Sequence, residues 1–387
     1  MLIQSIKLTN VLSFGPDAQE LELKPLNVLI GPNGSGKSNL IEVIGLLQAA
    51  PKDLLTPIRE GGGVGNWIWQ GESGSNLAEI EVLVSYQNNR LLRYMLVFRK
   101  DDQRFQVNSE QLDPVPSDDA FYPYFDTDGK MAHLYDQSLR KETGATTMKP
   151  VRISTDQSIF AQVKGPMFPE LTHTGEQFQR MGLFREWSFG RHTPPRLPQE
   201  ADLPNNFLME SGQNLGLVLN WLKREPKAAD RLLSALRRLY ASIVDFDVHI
   251  EGGTVQVFLR EGDITVPATR LSDGTLRYLC LLAILCHPTP PPLVCIEEPE
   301  LGLHPDILPG LAELLREASE RCQLIVTTHS DVIVDALTDT PESVVVCEKQ
   351  TGRTTLKRLD KDALAHWLER YRLGDLWTSG ELGGNRW

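Results

Sequence analysis

The chain has 387 residues, of which 41% are hydrophobic and 23% charged, and its formal net charge is −12. This composition supports a sizeable apolar core, and no apolar run approaches the ~20 residues that a membrane-spanning helix needs. So acidic a chain is poorly suited to coating itself on nucleic acid, whose phosphates attract positive charge, although a local basic groove is compatible with the total.

The opening, Met1 to Lys7, alternates like a strand and lacks the charged-then-apolar pattern of a signal peptide, so a cytoplasmic protein is expected. Leu2 to Leu8 and Leu21 to Leu23 read as half-buried strands, and Leu26 to Ile30 as a strand buried on both faces. A glycine-rich loop and an apolar helix over 38–49 follow, stopped by Pro51. Residues 60–75 read as loop. Strands are expected over 78–86 and 91–99, with Asn88-Asn89 as the hairpin turn. From 101 to 202 the periodicity weakens, as in an inserted subdomain or a set of long loops. Helices over 215–223 and 228–240 precede strands over 243–250 and 254–260. The last third alternates helix and strand: 276–286, 293–296, 307–319, 323–327, 331–337 and 343–347. That alternation predicts a mostly parallel sheet covered by helices. Cys280, Cys286, Cys295, Cys322 and Cys347 lie in apolar segments without a C-x-x-C pair, as expected for reduced buried thiols.

Gly31-Pro32-Asn33-Gly34-Ser35-Gly36-Lys37-Ser38 fits G-x-x-x-x-G-K-S/T between a buried strand and a helix. In such a loop the backbone N–H groups of Asn33, Gly34, Ser35 and Gly36 cradle phosphate, aided by the helix N-terminus. Lys37 reaches the outer phosphates, and the Ser38 hydroxyl ligates magnesium. Pro292 to Pro299 forms a strand that ends in two carboxylates, where ligands bind in open α/β sheets. Glu297 is expected to hold magnesium through water, and Glu298 to orient and deprotonate the attacking water. Leu271-Ser272-Asp273-Gly274-Thr275 precedes a helix and reads either as a second phosphate site or as a plain N-cap. Thr327-Thr328-His329-Ser330 follows another apolar strand, and His329 reads as a structural histidine or, in a parallel sheet, as a neighbour of the two glutamates.

In order and spacing, these four elements resemble the ABC ATPase set of Walker A, signature, Walker B and switch histidine. The forms Leu271 to Thr275, Glu297 to Pro305 and Thr327 to Ser330 resemble the RecF/SMC-like branch, in the bacterial group called AAA_21 or AAA15. The opening, Ile3-x-x-Ile6-x-Leu8-x-Asn10-Val11-x-Ser13-Phe14, and the tail around Leu373 to Trp377 and Gly380 to Gly384 are similar to the same group. The resemblance implies an α/β, ABC-type P-loop NTPase with a mostly parallel sheet, an antiparallel β subdomain and an inserted region. It divides the chain into an N-terminal lobe (1–100), an insert (101–204) and a C-terminal lobe (205–387). It implies ATP and Mg2+ as cofactors and a homodimer in which Ser272 and Gly274 contact the γ-phosphate bound to the other subunit. Leu301 to Pro305 would form the D-loop at the dimer seam. Glu297 stands where transporter ATPases carry aspartate. For the metal-binding Q-loop glutamine the candidate is Gln70.

Two roles follow from the resemblance. One is an ATP-driven switch for a separate effector, a nuclease or toxin, in anti-phage defence, since no Toprim-like acidic cluster follows the ATPase segment. The other is a RecF-like DNA-binding ATPase in repair. Phe178 to Arg196 bears on the second, because Arg180, Arg185, Arg191 and Arg196 are interleaved with Phe178, Phe184, Trp187 and Phe189. Such a stretch can stack and neutralise a nucleic-acid strand, or it can pack on the ATPase lobe with arginines at its rim.

Overall fold

The computed structural model describes residues 1–17, 19–71, 74–115, 123–128, 130–135, 148–239 and 242–384. The N-terminal half runs β1 (Ile3–Thr9), β2 (Leu21–Glu22), β3 (Leu26–Ile30), α1 (Lys37–Ala49), α2 (Leu55–Glu60), α3 (Val64–Trp67), β4 (Leu77–Ser85), β5 (Leu91–Asp101), β6 (Arg104–Val115), β7 (Phe125–Asp128), β8 (Met131–Tyr135) and β9 (Met148–Arg152). There follow α4 (Ile159–Gln162), α5 (Pro169–Gln179), β10 (Gly182–Phe184), β11 (Gln199–Glu200), α6 (Leu215–Arg224), α7 (Pro226–Leu239), β12 (Ile243–Glu251), β13 (Thr254–Glu261), β14 (Ile264–Pro267) and α8 (Asp273–Leu285). The chain closes with β15 (Leu293–Glu297), α9 (Leu308–Ser319), β16 (Gln323–Thr327), α10 (Asp331–Asp335), β17 (Val344–Gln350), β18 (Arg353–Arg358), α11 (Lys361–Leu368) and α12 (Leu373–Ser379).

Three sheets result. The central one has the order β10-β15-β16-β3-β17-β18, parallel except for the antiparallel edge strand β18. An antiparallel sheet has the order β2-β1-β4-β5-β6-β7-β8-β9, and a smaller one joins β11, β13, β12 and β14.

The two-residue period of the central strands assigns each side chain to a layer. Val28, Ile30, Val294, Ile296, Leu324 and Val326 face the core formed with α6, α7, α8 and α9. Leu29, Leu293, Cys295, Ile325 and Cys347 face the other core, which α1 shares with the antiparallel sheet. Helix α1 is therefore covered on both sides: Leu40, Ile41, Val43, Ile44, Leu46 and Leu47 are all fully buried. At ~1.5–3 kcal/mol for each such side chain, this packing holds the helix that carries Lys37 and Ser38. All five cysteines are buried and free, as expected. No helix among the described residues is long and apolar enough to cross a membrane.

Residues 101–204 are distributed among the three sheets. Strands β6 to β9 extend the antiparallel sheet, β10 edges the parallel sheet, and β11 joins the third. The polar character of β6 hides it from periodicity arguments. Its Glu110 is fully buried, yet its carboxylate accepts bonds from the Tyr94 hydroxyl (2.7 Å), the Ser158 hydroxyl (2.5 Å) and the Ile159 N–H (2.8 Å). Burial raises the pKa of Glu110, and these donors oppose the rise. The stretch 60–75, expected as loop, contains α3, whose Trp67 is buried in the core.

Candidate functional site

The loop between β3 and α1 takes a path that its glycines permit. Gly31, Gly34 and Gly36 have φ of 145°, 76° and 101°, in the region that side chains disfavour. A Cβ on Gly31 would come within 2.1 Å of the Cys347 carbonyl, and one on Gly36 within 2.1 Å of the Thr354 hydroxyl. Thr354 in turn donates to the Ser35 carbonyl at 2.8 Å, so edge strand β18 props the loop. Gly31→Ala should therefore push the loop off Cys347, at a cost on the order of 1–3 kcal/mol for the strained backbone. A lower melting temperature and weakened nucleotide binding are expected; unchanged values for both would mean that the loop follows another path.

Lys37 is buried, and its ammonium donates to the carbonyls of Gly31 (2.8 Å) and Pro32 (3.0 Å). Burial lowers its pKa, against the opposing pull of Cys347, Glu298, Glu297 and Glu300. Glu297 and Thr327 are paired across the parallel strands β15 and β16, which brings the Walker B strand end and the Thr327-Thr328-His329-Ser330 segment to one edge. Burial raises the pKa of Glu297, and Arg185 and the Ser38 hydroxyl pull it back.

Glu298 has φ of 44°, an uncommon conformation for a residue other than glycine. Its N–H donates to the Thr327 carbonyl (3.0 Å) and its carbonyl accepts from Arg277 (3.1 Å). This turn leaves Glu298 Oε1 3.6 Å from His329 Nε2. The structure thus brings His329 beside the Walker B acids.

Glu300, which lies in the Glu297 to Pro305 form but receives no role from it, fixes the start of the histidine loop. Its Oε1 accepts from the His329 N–H (2.7 Å) and the Thr328 hydroxyl (2.8 Å). Its signal in the sequence is its place in that form, three residues after Glu297.

In the signature segment, Ser272 caps α8 by accepting from the Thr275 N–H at 3.0 Å. Gly274 lies against the D-loop: a Cβ there would be 2.4 Å from the Gly302 carbonyl. Arg196, itself buried, holds this segment through the Leu271 carbonyl (2.5 Å) and the Asp273 carboxylate (2.5 Å). The Arg277 guanidinium lies 5.5 Å from the ring centres of both Trp187 and Phe189.

Much of the stretch 178–196 packs on the ATPase lobe, though not all of its arginines lie at the rim. Phe178, Phe184 and Phe189 are buried in the cores, Arg196 binds the signature segment, and Arg185 reaches Glu297. Gln70 donates to the carbonyls of Gly65 and Ile68, so its amide nitrogen is tied to its own loop.

Four buried polar atoms of the site lack a protein hydrogen-bond partner: Ser35 Oγ, Arg185 Nε, Glu297 Oε1 and Glu300 Oε2. Buried polar atoms normally have partners, and a phosphate chain with its hydrated magnesium offers matching ones. Among the described residues no group of three or more His, Cys, Asp or Glu side chains forms a metal cage. Magnesium with nucleotide needs none, since phosphate oxygens and water fill most of its positions, so Ser38 and Glu297 fit the role.

A P-loop, a paired-acid strand end and a histidine loop on one parallel sheet, with an antiparallel sheet across α1, define an ABC-type P-loop NTPase of the RecF/SMC-like kind. The chain belongs to the AAA_21 family, described as "AAA domain, putative AbiEii toxin, Type IV TA system", whose profile matches residues 26–130 and 181–335. This is a family of ATPases. The chain is similar to an OLD nuclease of Thermus scotoductus, 24% identical over 385 residues, with 92% of this chain and 65% of the relative aligned. It thus spans under two thirds of that relative's length. In fold it is similar to an Smc head bound to the C-terminal winged-helix domain of ScpA (TM-score 0.59, 12% identity, 94% of this chain and 99% of the other). A second likeness is the Smc head with an extended coiled coil bound to the C-terminal domain of ScpA from Pyrococcus furiosus (TM-score 0.60, 13% identity, 95% and 98%).

Proposed function

We propose that this protein is a cytoplasmic ATPase that binds ATP and Mg2+ between two copies of itself and uses hydrolysis to switch a separate effector in anti-phage defence. The observation that carries the reading is the meeting of Lys37, Glu297, Glu298 and His329 at the C-terminal ends of β3, β15 and β16. In this reading the loop N–H groups of Asn33 to Gly36 and the Lys37 ammonium bind the phosphates, and Ser38 and Glu297 hold magnesium. That ion neutralises phosphate charge when bound. Glu298 takes the proton of the attacking water as the water oxygen bonds to the γ-phosphorus and the bond to the β–γ bridging oxygen breaks, with ADP leaving, and His329 steadies the Glu298 carboxylate. Gln70 joins the metal site only if its loop releases the amide.

The γ-phosphate held by one chain would meet Ser272 and Gly274 of the other, and two such sites close an isologous dimer. The nuclease relative makes a nuclease the first class of effector to test. The alternative, a RecF-like DNA-binding ATPase, has the net charge of −12 against it. Its local support in the stretch 178–196 is weakened by the buried rings of Phe178, Phe184 and Phe189.

Mixed dimers test the shared site. A Lys37→Ala chain and a Ser272→Arg chain should each be inactive alone, and a mixture should regain part of the ATPase activity through one intact composite site. No recovery from mixtures whose hybrid dimers are demonstrated by mass would sink the sharing of independent sites.

A further inference from the structure

Strand β10 pairs in parallel with β15, Phe184 opposite Ile296, so the next residue, Arg185, leaves the sheet beside Glu297. Its Nε lies 3.6 Å from Glu297 Oε1 and its Nη2 3.3 Å from Glu42 Oε1. Glu42 stands on α1 one turn beyond Ser38, and residues four apart share a helix face. The guanidinium therefore bridges Glu297, one member of the Ser38 and Glu297 pair, to Glu42 one turn beyond the other. The contact to Glu297 is too long for a hydrogen bond, and Arg185 Nε and Glu297 Oε1 are both buried without a protein partner. The ion pair is loose where it is needed least tight: at the carboxylate assigned to the metal.

We propose that Arg185 is a positioning residue that acts as an internal counter-ion of the metal position, neutralising Glu297 while no metal is bound and withdrawing to Glu42 when magnesium arrives. An arginine cannot lose its proton in a protein, so two cations share Glu297 only if the guanidinium moves. Glu42 already accepts from the far end of the same guanidinium and gives it a place to go. Part exposure, 32% for Arg185 and 28% for Glu42, lets solvent ease the exchange. The device sets how much magnesium the site requires.

The proposal rests on Ser38 and Glu297 being the metal residues, and its test separates the two. Mn2+ is titrated into the full-length protein loaded with a non-hydrolysable ATP analogue, and free Mn2+ is read by electron paramagnetic resonance. Arg185→Ala should bind Mn2+ roughly fivefold more tightly, the upper range for a part-exposed charge pair. Glu42→Gln should act in the opposite sense and bind it more weakly, because Arg185 then leans on Glu297 alone. Unchanged or weaker Mn2+ binding in a folded Arg185→Ala protein, or unchanged or tighter binding in Glu42→Gln, overturns the counter-ion role. Ser38→Ala and Glu297→Gln should each weaken Mn2+ binding at least about fivefold on the same scale. If neither does, the assignment of the metal site itself fails.

Discussion

Glu298→Gln should slow ATP turnover at least ~100-fold, the scale of a lost general base, while leaving nucleotide affinity close to that of the parent. The amide preserves the shape of the side chain and removes its basicity. The backbone turn that aims it depends on main-chain contacts, the Glu298 N–H to Thr327 and the carbonyl to Arg277, so the substitution does not disturb it. The 3.6 Å approach of His329 is likewise set from outside, by the hold of Glu300 on the His329 N–H. Single-turnover phosphate release and equilibrium nucleotide binding, measured on one preparation, separate chemistry from affinity. Near-normal turnover would remove the base from Glu298. Because the trapped protein keeps its ATP, sizing it with ATP and with ADP also reports on the proposed dimer: a monomer in both would overturn it, and an ATP-dependent dimer would support it.

Lys37→Ala should raise the dissociation constant for ATP by roughly 10- to 150-fold, since a hydrogen bond to a charged group contributes ~1.5–3 kcal/mol. The ammonium lies along the loop on the Gly31 and Pro32 carbonyls, within reach of the position where the loop N–H groups would gather phosphate oxygens. Burial has already lowered its affinity for its proton, and an arriving phosphate reverses that penalty by offering a full negative charge. Calorimetric titration with ATP, together with the melting temperature of the unliganded variant, distinguishes a lost contact from a lost fold. Parental affinity in a folded variant would take the phosphate site away from this loop.

The local pieces are written into short stretches of the chain. Gly31 to Ser38 is contiguous, and a strand, a glycine loop and a helix N-terminus need no distant partner to be recognised. Leu26–Ile30 and Gln323–Thr327 are strands at the positions their mostly apolar runs predict, because strands buried on both faces admit polar residues only where they are hydrogen-bonded, as Asn27 is to the Leu324 carbonyl and Gln323 to the Ile3 carbonyl. The two acids after Ile296 were legible for the same reason: the apolar run stops where the strand leaves the core.

Which distant residues meet depends on how the strands and helices assemble. The three-residue β10 is too short to show a period, and only its place beside β15 turns Arg185 into a neighbour of Glu297. Neither motif nor periodicity assigns a role to Glu300, Arg196 or Arg277, yet each fixes a loop through contacts to residues far along the chain. The tail residue Gly384 lies over the P-loop, where a Cβ on it would be 3.4 Å from Gly31 Cα. The order β10-β15-β16-β3-β17-β18 interleaves the two ends of the chain. Hydrogen bonding and side-chain packing between whole strands select that order, so no window of local sequence contains it.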